Sequence, residues 1–126
     1  MYKARITCKE GYLFEVETKD YRFNMGIRGV GATPSDALLA SLGSCIGLYI
    51  RKYAEGVKLD LGQFDIKVEA ELSQEKPVSF RRIDVSIDLK GLLLDERRRK
   101  SLFQFVKNCP VHNTFKSDPD INISID

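Results

Sequence analysis

Thr33-Pro34-Ser35-Asp36-Ala37-Leu38-Leu39-Ala40-Ser41-Leu42-Gly43-Ser44-Cys45-Ile46-Gly47-Leu48-Tyr49-Ile50 opens on a helix-start signal and then carries no charge from Ala37 to Ile50. Thr33 has the hydroxyl that caps free backbone N–H groups, and Pro34 stands at the first helical position, where a missing donor costs nothing. Asp36 falls three residues after Thr33, the place of a capping-box acid, and its charge suits the positive end of the helix dipole. The spacing predicts a helix to about Glu55, with Arg51 and Lys52 in the last turns and Gly56 as its stop. A helix apolar all round belongs in a core, packed on several sides. The uncharged stretch is shorter than the roughly 20 residues that cross a bilayer, and Ser41, Gly43, Ser44 and Gly47 interrupt it, so a buried helix is expected and no membrane partner.

On the N-terminal side the chain alternates. Tyr2, Ala4, Ile6 and Cys8 share one face of a strand over residues 2–9, and Tyr12 to Thr18 resumes after Glu10-Gly11, a hairpin signal. Tyr21 to Ile27 adds a third strand before Gly26, Gly29 and Gly31 break the regularity. Their G-x-x-G-x-G spacing is not the dinucleotide pattern and reads as a loop leading into the helix.

On the C-terminal side Phe64, Ile66, Val68 and Ala70 alternate with polar residues, as do Ile83, Val85, Ile87 and Leu89. Ser73 to Ser79, with Pro77, is the connection between these two strands. Asp95 starts an amphipathic helix to about Lys107, apolar through Leu102, Phe103 and Val106. Cys109-Pro110 interrupts it and opens a short third helix. Ile121, Ile123 and Ile125 read as a final strand. The order βββ-α-ββ-αα-β predicts an α+β fold, mainly antiparallel sheet around a buried central helix, in one domain over residues 1–126.

The 126 residues carry 20 basic and 18 acidic side chains, a net charge of +2. That balance argues against a nucleic-acid partner bound through bulk charge. The run Arg97, Arg98, Arg99 and Lys100 follows Asp95 and Glu96 and reads as a solvated helix face. Met1 to Glu10 has no continuous apolar core of the kind a secretory signal needs, so the expected location is cytoplasmic.

Three cysteines, Cys8, Cys45 and Cys109, are too few and too far apart for a secreted disulfide framework. Cys8 lies in line with Ile6 and is expected to be buried strand filling. Cys45 sits among Gly43, Ser44 and Gly47, small neighbours that would let backbone or a ligand approach its sulfur; the competing reading is a small core hydrophobe. Cys109 precedes a proline at a helix entry, beside unpaired N–H groups that favour thiolate, or it is a plain cap. His112, the single histidine, lies one turn on and either lends charge to that thiolate or faces solvent. Cys109-x-x-His112 supplies only half a zinc site, so no metal is expected.

The stretch from Gly31 to Cys45, followed 64 residues later by Cys109-Pro110-Val111-His112-Asn113-Thr114, resembles the OsmC/Ohr family, the osmotically inducible and organic hydroperoxide resistance proteins. The resemblance covers nearly the whole chain. It implies an intertwined α+β homodimer with its central helices back to back. It also implies a thiol peroxidase that reduces organic hydroperoxides without a bound cofactor. Cys45 would be the peroxidatic thiolate and Cys109 the resolving thiol. An external dithiol, lipoyl-type in the best-known branch, would restore both. In the hydroperoxide-resistance branch a glutamate follows the helix-start proline; here that position is Ser35 and the acid is Asp36. For the arginine with which that branch holds its thiolate, Lys9 and Arg28 are the candidates. The sequence is closer to a less characterised OsmC-like branch, for which the second reading is a weakly active or non-catalytic dimer that binds an apolar ligand or senses redox state.

Overall fold

A computed structural model describes residues 1–126. The elements run β1 (Arg5–Glu10), β2 (Leu13–Glu17), β3 (Arg22–Gly26), α1 (Pro34–Gly56), β4 (Asp65–Leu72), β5 (Phe80–Asp88), α2 (Glu96–Val106) and α3 (Pro110–Lys116). The chain divides into two compact units, Met1–Leu39 and Ala40–Asp126.

The first unit is an antiparallel sheet in the order β1-β2-β3. Cys8 pairs with Phe14 and Val16 with Phe23, and Gly11 turns the first hairpin at a φ of +54°, a backbone conformation glycine adopts without strain. Val16 is its one buried hydrophobic side chain. Cys8 is therefore exposed, against the expectation of strand filling. It lies on an edge strand of a sheet that has no core of its own to receive it.

The second unit pairs β4 with β5, Ile66 opposite Ile87 and Val68 opposite Val85. Ser73 N–H closes the connection on Ser79 O at 2.7 Å. The apolar alternation turns Ile66, Val68, Ile83 and Val85 toward a core of Leu42, Ile46, Ile50, Tyr53, Leu102 and Cys109. Gly43 and Gly47 bring α1 close to β4: a Cβ on Gly43 would stand 3.1 Å from Val68 Cγ2, and one on Gly47 3.3 Å from Ile66 Cδ1. Phe105 of α2 meets the rings of Tyr49 and Tyr53, with centroids 5.9 and 5.7 Å away.

The start of α1 follows its sequence signal, with Asp36 N–H donating to Thr33 Oγ1 at 3.1 Å. Its end does not. Gly56 is the last helical residue, and Lys58 takes the left-handed conformation at a φ of 55°. Leu59 N–H bonds Ala54 O at 2.8 Å and Lys58 N–H bonds Glu55 O at 3.3 Å, the pair of reversed bonds that closes a Schellman ending. Nor is α1 covered on every side, for Leu38 and Leu48 are 40% and 52% exposed. One two-stranded sheet and two shorter helices cannot enclose a helix all round.

The final strand is also corrected. Residues 121–126 join no sheet, and Ile121, Ile123 and Ile125 stand exposed. Alternation shows which residues would share a face, but a strand exists only where a neighbouring edge takes up its backbone hydrogen bonds.

Candidate functional site

Cys45 lies at the middle of α1, half-buried, and Cys109 at the entry to α3, fully buried. Both are free thiols, and Cys45 packs against the core cluster that contains Cys109, close enough to raise the pKa of its thiol. Residues two apart on a helix point about 200° apart around its axis. Gly43 and Gly47 accordingly face β4 while the Cys45 sulfur meets Cys109. The small neighbours serve helix–sheet contact and not access to the sulfur, which revises the sequence reading.

Cys109 is positioned by its own helix. Pro110 stands at the first turn, Cys109 is the N-cap, and its Sγ accepts the His112 N–H at 3.4 Å. Asn113 N–H bonds Cys109 O at 3.0 Å, and Cys109 N–H bonds Val106 O at 3.2 Å, which ties the cysteine to α2 as well.

The helix entry does not leave Cys109 as thiolate. Burial pushes its pKa up first, and the neighbouring Cys45 raises it further; the His112 and Val111 N–H groups pull the other way and are outweighed. Removal from water disfavours the charged form more than two weak N–H contacts to sulfur favour it. The proton thus stays on Cys109 Sγ. The surroundings within this unit are apolar, with Leu42, Ile46 and Leu102 buried beside Cys109, and Val111 and Phe115 packed against them. No lysine or arginine is among the groups that shift the Cys109 pKa.

The remaining site candidates have partners of their own. The His112 ring turns to Asn113, with Nδ1 3.3 Å from Oδ1, so its backbone and not its imidazole serves Cys109. Lys9 pairs with Glu15 at 3.0 Å. Arg28 lies over the Tyr12 ring, 5.3 Å from its centroid. Asp36 belongs to the start of α1 and is exposed. The structure therefore brings together Cys45, Cys109 and two backbone N–H groups. The Val111 N–H had no sequence signal beyond the Cys-Pro entry itself. The Val106 carbonyl had none at all, because that contact depends on how α2 ends.

Antiparallel sheets, a long helix and two shorter ones, with two thiols in contact between α1 and the entry of α3, define an α+β protein with a paired-cysteine centre. The family model described as OsmC-like protein matches residues 27–124, and the chain belongs to this family. Among solved structures it is similar to an OsmC-like protein from Mycoplasma pneumoniae, with a TM-score of 0.78 and 20% identity, covering 92% of this chain and 87% of that one. It is also similar to an organic hydroperoxide resistance protein OsmC from Legionella pneumophila, with a TM-score of 0.62, 19% identity, and coverage of 92% and 90%. One from Elizabethkingia anophelis gives a TM-score of 0.63, 14% identity, and coverage of 94% and 91%. Identities at this level establish the fold. No curated protein matches the chain.

Proposed function

We propose that this chain is a thiol-dependent peroxidase that reduces organic hydroperoxides, working as a homodimer. The carrying observation is that two free thiols, Cys45 and Cys109, share one packed cluster and lie close enough for Cys45 to raise the pKa of Cys109. The Cys45 thiolate attacks the O–O bond; the sulfur takes up oxygen as sulfenic acid, and the hydroperoxide leaves as its alcohol after taking a proton. Cys109 then displaces the sulfenic hydroxyl, forming the S–S bond and releasing water. An external dithiol, of lipoyl type, exchanges with this disulfide, returns both thiols and leaves as its own disulfide. Apolar surroundings suit a bulky organic peroxide better than hydrogen peroxide. Two features support the homodimer: the exposed apolar side of α1, with Leu38 and Leu48, and the unpaired Ile121, Ile123 and Ile125. No helix is long and apolar enough to cross a membrane; the site of action in this reading is the cytoplasm.

A second reading is favoured by one observation, the raised pKa of Cys109, set chiefly by burial with no cation among its causes. It makes the chain a slow or non-catalytic dimer that holds an apolar ligand or senses redox state. One experiment separates the two. Cumene hydroperoxide is added with dihydrolipoamide, peroxide loss is followed, and peptides are mapped after a brief oxidation. Turnover that disappears in Cys45→Ser, together with a Cys45–Cys109 crosslink, is the expected result. Two persistent free thiols and no peroxide loss would overturn the peroxidase and leave the second reading.

A further inference from the structure

One side of α2, next to the core, has a chemistry of its own. Arg99, Leu102, Phe103 and Val106 follow one another at helical i, i+3, i+4 and i+7 spacing, which puts them on one side of the helix. Across from them runs the segment after β5, with Leu92 and Leu94. Together they line a cleft of about 330 Å³, at the small end of the roughly 300–1,000 Å³ typical of ligand pockets. Its walls are mostly apolar, and Phe103 is left 58% exposed there.

The cleft is lined by one acid, Asp88, and one base, Arg99, and no ion pair joins them. Asp88, its one acid, is already engaged: its Oδ1 accepts the Lys90 backbone N–H at 2.9 Å and its Oδ2 lies 3.8 Å from Lys90 Nζ. Arg99 lines the cleft and forms none of the chain's ion pairs. Lys107, which does not line the cleft, lies over the Phe103 ring with Nζ 4.4 Å from its centroid. An apolar channel with an uncompensated guanidinium complements a ligand that has an alkyl body and one anionic end. A planar carboxylate matches the two parallel donors of a single guanidinium, whereas a phosphate monoester carries more charge than one arginine offsets.

We propose that this cleft binds an alkyl carboxylate of medium chain length, its chain against Leu92, Leu94, Phe103 and Val106 and its carboxylate on Arg99. The proposal does not rest on the peroxidase reading, since cleft residues and sulfurs give separate signals. The test uses the full chain in solution with octanoate, octanol and octylammonium as probes. Binding is followed by calorimetry and by the methyl resonances of Leu92, Leu94 and Val106. Octanoate should bind more tightly than the other two and shift those methyls. Arg99→Ala should weaken octanoate about ten-fold, as the loss of one charge-assisted contact implies, and leave octanol unchanged. Phe103→Glu, on an exposed position, should weaken both. Equal affinity for octanol or octylammonium, no response to Arg99→Ala, or shifts confined to residues around Cys45 would each overturn the proposal. So would cleft resonances that move with protein concentration and not with octanoate, because a second copy would then be the occupant.

Discussion

The sulfur of Cys109 accepts the backbone N–H of His112 at 3.4 Å, so the residue proposed to resolve a sulfenic acid is also the cap of the helix that follows it. Cap and core placement coincide in one side chain, for Cys109 is wholly buried among Leu42, Ile46 and Leu102. Losing a cap costs about 0.5–2 kcal/mol, and truncating a buried side chain adds a cavity term. Cys109→Ala should destabilise the chain by about 1–2 kcal/mol. Cys109→Ser should recover part of that loss, because its hydroxyl can accept the same N–H. Urea unfolding of both variants measures this, and equal losses in Ser and Ala would show that the cap contributes nothing.

The protonated state of Cys109 makes stability depend on pH in a definite direction. Burial and the neighbouring Cys45 raise this thiol above its ordinary value of 9.0. The folded chain therefore holds the proton more tightly than the unfolded one. The resulting stabilisation is complete below the ordinary value and is lost as pH rises through it toward the folded value. The stability gap between the wild-type chain and Cys109→Ala, measured by urea unfolding from neutral to alkaline pH, should hold steady and then narrow above pH 9.0. A gap that stays constant or widens would contradict a protonated Cys109.

What could be read from sequence was local chemistry. Thr33, Pro34 and Asp36 act within one turn of each other, and Cys109-Pro110 announces a helix entry whatever surrounds it. The failures share one cause. The burial of Cys8, the pairing of Ile121, Ile123 and Ile125, and the charge state of Cys109 depend on what the rest of the chain places beside them. Alternation along β1 shows that Cys8 shares a face with Ile6 but not whether any layer covers it. The helix entry does offer Cys109 two N–H groups, yet burial against α1 outweighs them. The contact of Cys45 with Cys109 joins α1 to α3 across the strands between them, so spacing alone did not place it. The family resemblance supplied that pairing.

Lys58 is the stop that glycine would fill better. Its φ of 55° puts a Cβ in the left-handed region, at a cost of about 1–2 kcal/mol that glycine escapes. Its place in the reversed hydrogen bonds that end α1 is the one where glycine is commonest. Lys58→Gly should raise stability by about 0.5–1 kcal/mol after the extra entropy of an unfolded glycine is deducted. Thermal melts would register the gain. A loss would mean that the lysine side chain contributes something its exposed position does not suggest.

Gly43 and Gly47 lie on the same face of α1, against the same strand, yet alanine should act differently at the two. Replacing a helical glycine gains about 1 kcal/mol in intrinsic propensity. At Gly47 the new methyl meets Ile66 Cδ1 at 3.3 Å, the end of a side chain that can yield by rotating about its outer bond. At Gly43 it meets Val68 Cγ2 at 3.1 Å, a methyl fixed directly to a β-branched carbon with one strongly preferred rotamer. Relief there has to come from moving β4 away from α1. Gly47→Ala should therefore stabilise by about 0.5–1 kcal/mol, while Gly43→Ala should gain nothing or lose about 1 kcal/mol through overpacking. Denaturation of the two variants beside the wild-type chain gives the order directly. If Gly43→Ala proves the more stable, the approach of α1 to β4 is looser than these contacts describe.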